Sequence, residues 1–202
     1  MGIIFPTCII YFELAKHLLF FIWGAFIYAL LVYFLFYREK IKQINFFPLK
    51  FNFSKREFWF VVFRWLILSI FLYVFTLYFF PQKLFMLFKR DPALMYIVLF
   101  FYPVLSAFPQ EFIFCTFFFN RYKSLFKTEY YIVFMSAAIF CLAHIFFINW
   151  VAPLLSAVGG LMFANTYRRT NSLFLVSLEH ALYGNTLFFI GLGWFFWGGS
   201  VS

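Results

Sequence analysis

An all-α, polytopic transmembrane helical bundle is the fold class that three features of this sequence predict: long apolar runs, basic residues gathered between those runs, and too little charge to coat a soluble protein. Of 202 residues, 66% are hydrophobic, 39 are phenylalanine and only 11% are charged. A soluble core of this size does not hide that much apolar surface. At ~20 residues per crossing the chain has room for about six spans joined by short connectors. Residues 1–202 therefore read as a single membrane domain.

The stretch 1–12 is apolar but too short to cross, so it is expected to lie at the interface or to pack on the bundle as a short hydrophobic helix. With neither a basic leading segment nor a small-residue cleavage site, it does not read as a removed signal peptide. The first span is expected at 18–37, followed by a connector containing Arg38, Lys40, Lys42, Lys50, Lys55 and Arg56. The second, 58–80, ends at Pro81 and carries Arg64 near its start, where a long side chain can snorkel to the headgroups. The third begins after Pro92 and contains Pro103 and Pro109. Each proline removes a backbone donor, so this helix is expected to bend just before Glu111. The fourth covers 130–148. The fifth ends near Tyr167 and carries Ser156, Ala157, Gly159, Gly160 and Ala164, small residues that let a neighbouring helix approach closely. The sixth covers 173–193.

The net charge of +9 raises nucleic acid as a partner, but the basic residues lie in the connectors, where they record membrane orientation instead. Eleven fall after the first, third and fifth spans and four on the opposite side, which places both termini outside the cytoplasm. Membrane lipid is thus the expected partner and nucleic acid is not. Cys8, Cys115 and Cys141 are scattered through apolar segments and form no disulfide or metal-binding pattern; they read as small buried hydrophobes.

Against this background, ionisable residues inside the apolar runs stand out. Glu111 sits in Pro109-Gln110-Glu111-Phe112-Ile113-Phe114-Cys115, and His144 and His180 lie in later spans. A charge at bilayer depth costs about 2.5–3.5 kcal/mol on insertion scales, which marks such residues as a functional site by default. At 1.5 Å per residue, Glu111, His144 and His180 lie ~15, ~20 and ~10 Å from the cytoplasmic ends of their helices, so the three share one slab of the membrane.

A carboxylate and two imidazoles suit acyl chemistry with water: one group takes the proton, and donors nearby stabilise the oxyanion. The same trio also suits zinc, although the local HExxH pair is absent. Plainer roles exist for each residue. A histidine in a membrane helix also serves as an interhelical hydrogen-bond partner, and Glu179, beside His180 on another helical face, reads as a structural one. Glu111 alone also fits a proton-coupled carrier, but no repeated half or matching pair of broken spans accompanies it.

Taken together, Gln110-Glu111-x3-Cys115, Phe140-x3-His144 and His180-x3-Gly184-Asn185 resemble the CPBP intramembrane proteases, the family of Rce-type CAAX prenyl proteases and bacterial Abi relatives, whose motifs are EExxxR, FxxxH and HxxxN or HxxxD. The resemblance covers about half the chain and implies a catalytic core at 92–193. It implies an intramembrane endopeptidase acting on a protein or peptide substrate, in a multi-pass protein of the bacterial cytoplasmic membrane. Glu111 and His144 would activate water, while His180 with Asn185 would stabilise the oxyanion and Gln110 would support the site. No cofactor and no obligatory metal are implied. Three positions depart from the pattern: Gln110 replaces the first glutamate, Cys115 replaces the arginine, and Gly184 stands where the asparagine is expected, with Asn185 one step later. These departures keep open an alternative: a non-catalytic membrane protein of the same fold that binds peptides or partner proteins, in immunity or secretion.

Overall fold

The computed structural model describes residues 17–41 and 53–197. The interfacial segment expected at 1–12 and most of the first basic connector lie outside the described residues. The structure is 89% helical and has no strand among the described residues. Its helices are α1 Leu18–Ile41, α2 Lys55–Phe79, α3 Met86–Arg90, α4 Pro92–Leu125, α5 Glu129–Leu142, α6 Val151–Thr170 and α7 Leu173–Ile190.

Among the described residues, five helical segments are long and apolar enough to cross a membrane, in α1, α2, α4, α5 with its following turn, and α7. Phenylalanine, leucine and tyrosine cover the outer faces: Phe20, Tyr78 and Phe100 are all more than three-quarters exposed. In water such surfaces would drive aggregation; in lipid they are solvated. The protein is an integral, multi-pass membrane protein.

The sequence predicts six spans, and α6 is the one that falls short of the other five. Its 20 residues give ~30 Å of helix, enough to cross. However, Ser156, Gly159, Gly160, Asn165, Thr166, Arg168 and Arg169 dilute its apolar character. The small residues have the packing role expected of them. A Cβ built on Gly160 would come within 3.0 Å of the Ala137 backbone and 3.2 Å of the Phe140 ring, so α5 and α6 meet at backbone range.

The centre of the bundle is α7, which is 56% buried, against 11% for the α1 and α2 spans. It packs against α2, α4 and α6. Its start is capped by Ser172, whose Oγ accepts from the Leu175 N–H at 3.2 Å, a normal first-turn solution for orphan donors. Its end turns at Gly191, with φ of 97°. A side chain there would strike the Lys83 carbonyl 1.9 Å away, so only glycine serves both the left-handed cap and the close approach.

One end of the bundle gathers the basic residues around acidic partners. Arg169 pairs with Glu57 at 2.7 Å, Lys123 with Glu129 at 2.7 Å, and Arg168 with Glu129 at 3.6 Å. These pairs bring the start of α2, the end of α4, the start of α5 and the end of α6 to the same face, as the alternating course of the chain requires.

The α5–α6 contact yields a test. Gly160→Val is expected to cost about 1–3 kcal/mol through overpacking, read as a lower melting temperature of the purified protein in detergent.

Candidate active site

The site begins with the irregularity of α4. Regular helix at Pro92–Tyr102 gives way to a π-helical segment at Pro103–Ala107, one α-turn at Phe108–Glu111, and a second π segment at Phe112–Phe117. Proline has no N–H to offer the carbonyl four residues earlier, and π segments are the usual accommodation. The carbonyl four residues before Pro109 is that of Leu105, and it accepts instead from Trp23 Nε1 of α1 at 3.0 Å. The carbonyl four before Pro103 is that of Leu99, and it accepts from Asn185 Nδ2 of α7 at 3.2 Å. Side chains of two neighbouring helices thus satisfy the backbone that the prolines leave open, as a broken helix within a membrane requires.

The widened helix turns Glu111 into the protein, where it is fully buried. Its Oε1 accepts from His180 Nδ1 at 2.7 Å and its Oε2 from the Cys115 thiol at 3.1 Å. With Glu111 as a carboxylate, which only accepts, the tautomer of His180 follows: Nδ1 carries hydrogen and Nε2 is the acceptor. The Tyr102 hydroxyl donates to that Nε2 at 2.9 Å. His180 is held from the side as well. Phe163 lies parallel to its ring, 4.7 Å away with the planes 13° apart, and Phe140 meets it edge-on at 5.6 Å.

His144 lies beyond the end of α5 rather than within a continuous fourth span. The helix stops at Leu142, and His144 has φ −110° and ψ 0°, opening a short 3-10 turn at Ile145–Phe147. Its Nδ1 donates to the Phe140 carbonyl at 2.8 Å. That bond leaves Nε2 as the unprotonated nitrogen of the neutral ring.

Tyr102, Gln110, His144 and His180 all line a cavity of about 430 Å³. Its remaining wall is apolar apart from Ser106, Ser156 and Tyr183, with Leu68, Phe71 and Phe75 of α2 facing Leu154, Val158 and Met162 of α6. Phe71, Leu154 and Val158 are at once cavity wall and roughly half exposed on the outer surface. The cavity therefore reaches the lipid-facing side between α2 and α6.

The structure distributes the residues expected at the site as follows. Glu111 and His180 are directly bonded, and Glu111 stands behind the imidazole instead of on the cavity wall. Neither of its hydrogen bonds goes to His144. Gln110 is on the wall, its amide donating to Ser106 Oγ at 2.8 Å. Asn185 points away, to Leu99, because α7 stays a regular α-helix and turns it one residue off the cavity-facing row. Cys115 replaces the arginine as Glu111's partner four residues on, so the carboxylate keeps a donor there.

Two features escaped the sequence reading. Tyr102 in an apolar aromatic run is indistinguishable from a lipid-facing tyrosine until α7 is laid beside it. Arg64 does not snorkel: it bonds Glu179 and Thr166, and its side chain is only 19% exposed. The ion pair ties α2 to α7 and the Thr166 bond ties α2 to α6, so Glu179, read from the sequence as a structural hydrogen-bond partner, has a cation beside it. Among the described residues no three His, Cys, Asp or Glu side chains are grouped to hold a metal ion.

The family model described as type II CAAX prenyl endopeptidase Rce1-like matches residues 92–186. Just under half of the chain is thus similar to that family. The Rce1-like region starts at the first residue of α4 and runs almost to the end of α7, so Glu111, His144 and His180 all fall inside it. Its fold is that of a CAAX-type intramembrane protease, and such a family implies a protein or peptide substrate. No curated protein and no solved structure gives a match.

Two measurements test these contacts. Arg64→Met should destabilise the protein by about 3–5 kcal/mol because it strands a buried carboxylate, and adding Glu179→Leu should recover most of that loss; thermal unfolding of the single and double variants separates the two states. Asn185→Leu should cost about 1–3 kcal/mol by leaving the Leu99 carbonyl unsatisfied, read in the same assay.

Proposed function

We propose that this protein is an intramembrane endopeptidase that hydrolyses a protein or peptide chain entering its cavity from the lipid, with water activated by the Glu111–His180 pair. One observation carries the reading: a continuous chain of hydrogen bonds runs from a fully buried carboxylate, through His180, to a hydroxyl on the cavity wall. Residues 92–193 serve as the catalytic core of a single membrane domain, with the basic end of the bundle in the cytoplasm of a bacterial cell.

The roles follow from the geometry. Glu111 holds His180 in the tautomer whose Nε2 faces the cavity and stabilises the imidazolium that forms when that nitrogen takes a proton. Water at Nε2 attacks the scissile carbonyl: its oxygen bonds to carbon and its proton passes to His180. The tetrahedral intermediate then collapses with cleavage of the C–N bond, and His180 returns the proton to the leaving amine. Gln110 and His144, on the same wall, orient the peptide or the water. This reading moves His180 from oxyanion support to general base, because it is the imidazole that the carboxylate touches. The apolar wall and its opening between α2 and α6 suit an apolar or membrane-embedded substrate segment.

A second reading rests on Gln110, which stands at the first glutamate of the motif and is bonded to Ser106: the cavity binds peptide without cleaving it, as an immunity or secretion factor would.

The test is a peptide library presented to the purified protein in detergent. Wild type is expected to cleave, and Glu111→Gln and His180→Ala to lose about 10²–10⁴-fold in kcat/KM, with a smaller loss for His144→Ala. Saturable binding without cleavage would favour the second reading, and cleavage indifferent to Glu111→Gln and His180→Ala would overturn the first.

A further inference from the structure

The wall beside His180 has an unusual pairing of a residue without a side chain and a residue that fills its place. Gly184 lies one turn after His180 on α7, on the face that lines the cavity. A Cβ built on it would come within 2.1 Å of the Tyr102 ring and 2.4 Å of the Tyr102 hydroxyl oxygen. No side chain at 184 coexists with Tyr102 where it stands. The glycine is therefore a socket, and the tyrosine hydroxyl reaches over it to within 2.9 Å of His180 Nε2. The ring is held there by the edge of Phe188, 5.5 Å away on the next turn of α7.

Building on the hydrolase reading above, we infer that Tyr102 is a catalytic residue whose O–H donates to the oxyanion, supplied from α4 across the gap left by Gly184. In the resting site the hydroxyl donates to Nε2. When water takes over the single lone pair of Nε2, the hydroxyl is released beside that nitrogen, from which it stands 2.9 Å in the resting site, and rotation about its C–O bond turns the hydrogen to the carbonyl oxygen of the peptide under attack. Negative charge developing there is then met by a donor already placed beside the reacting water, in a largely apolar cavity. No net proton leaves the phenol: it donates throughout, and proton transfer runs between water, His180 and the leaving amine. The inference also accounts for Asn185. Its amide is committed to the Leu99 carbonyl, so the amide expected of this motif is replaced by a phenol from another helix.

The experiment compares wild type, Tyr102→Phe, Tyr102→Ala and Tyr102→Ala/Gly184→Asn in the peptide-cleavage assay, with kcat and KM resolved separately and melting temperature recorded for each. Tyr102→Phe keeps the ring over Gly184 and removes only the O–H. It is expected to lower kcat about 10²–10³-fold with KM and melting temperature close to wild type, the pattern of a donor used only in the transition state. The double variant returns an amide to the vacated space and is expected to regain at least about tenfold in kcat over Tyr102→Ala. Wild-type kcat in Tyr102→Phe, in a protein that Glu111→Gln inactivates, would overturn the Tyr102 assignment and leave the hydrolase reading standing. Losses spread over kcat, KM and melting temperature alike, with no gain in the double variant, would overturn it too, as a packing effect. A wild type that cleaves nothing would remove the hydrolase reading and this assignment together.

Discussion

The bond between Glu111 and His180 is the interaction on which the rest of this structure depends. A carboxylate buried in a bundle that lipid surrounds is unaffordable alone, and the fold is arranged to answer it. The π segments of α4 turn Glu111 inward, α7 runs through the centre so that His180 arrives opposite, and Cys115 closes the second oxygen. The same rule governs the other polar groups at depth. Arg64 answers Glu179, Trp23 answers the carbonyl freed by Pro109, and Asn185 answers the one freed by Pro103. Where lipid offers no hydrogen bonds, a polar group gains by finding its partner within the protein, and these pairings set the register of α1, α2, α4, α6 and α7 more narrowly than interchangeable phenylalanine packing does.

Much of this was legible in the residues. Apolar runs of spanning length locate α1, α2, α4, α5 and α7, and the prolines of α4 announce a helix that is not straight. Glu111, His144 and His180 declare themselves because ionisable side chains are rare in such runs. The small residues of α6 correctly mark a close helix contact. Other features could not be read, and the reasons are physical. Which face of α4 carries Glu111 depends on how far the π segments widen it, and no residue pattern fixes that rotation. Arg64 near a helix start looks like a snorkelling arginine until Glu179 is found beside it. Asn185 looks like a site residue by spacing alone, and its commitment to Leu99 depends on a proline more than eighty positions away.

The departures from the family motifs also gain a physical meaning. At the position of the motif's arginine, Cys115 supplies one weak donor instead of a fixed cation, so Glu111 is balanced chiefly by His180. At the position of its asparagine, Gly184 makes room for Tyr102. Gln110 remains on the wall as a neutral donor and acceptor. These changes leave the cavity wall with no permanent charge while keeping a hydrogen-bonded route from its surface to a buried carboxylate, an economical arrangement for a pocket facing hydrocarbon.

The parallel stack of Phe163 on His180 has a consequence for proton traffic. An imidazole held flat between a phenyl face and a phenyl edge, and anchored by Glu111 at one nitrogen, cannot turn over to present that nitrogen to the cavity. The nitrogen presented to the cavity is therefore Nε2, while Nδ1 faces Glu111 and, behind it, Cys115, both fully buried: the ring has one side open to the cavity and one side closed within the bundle.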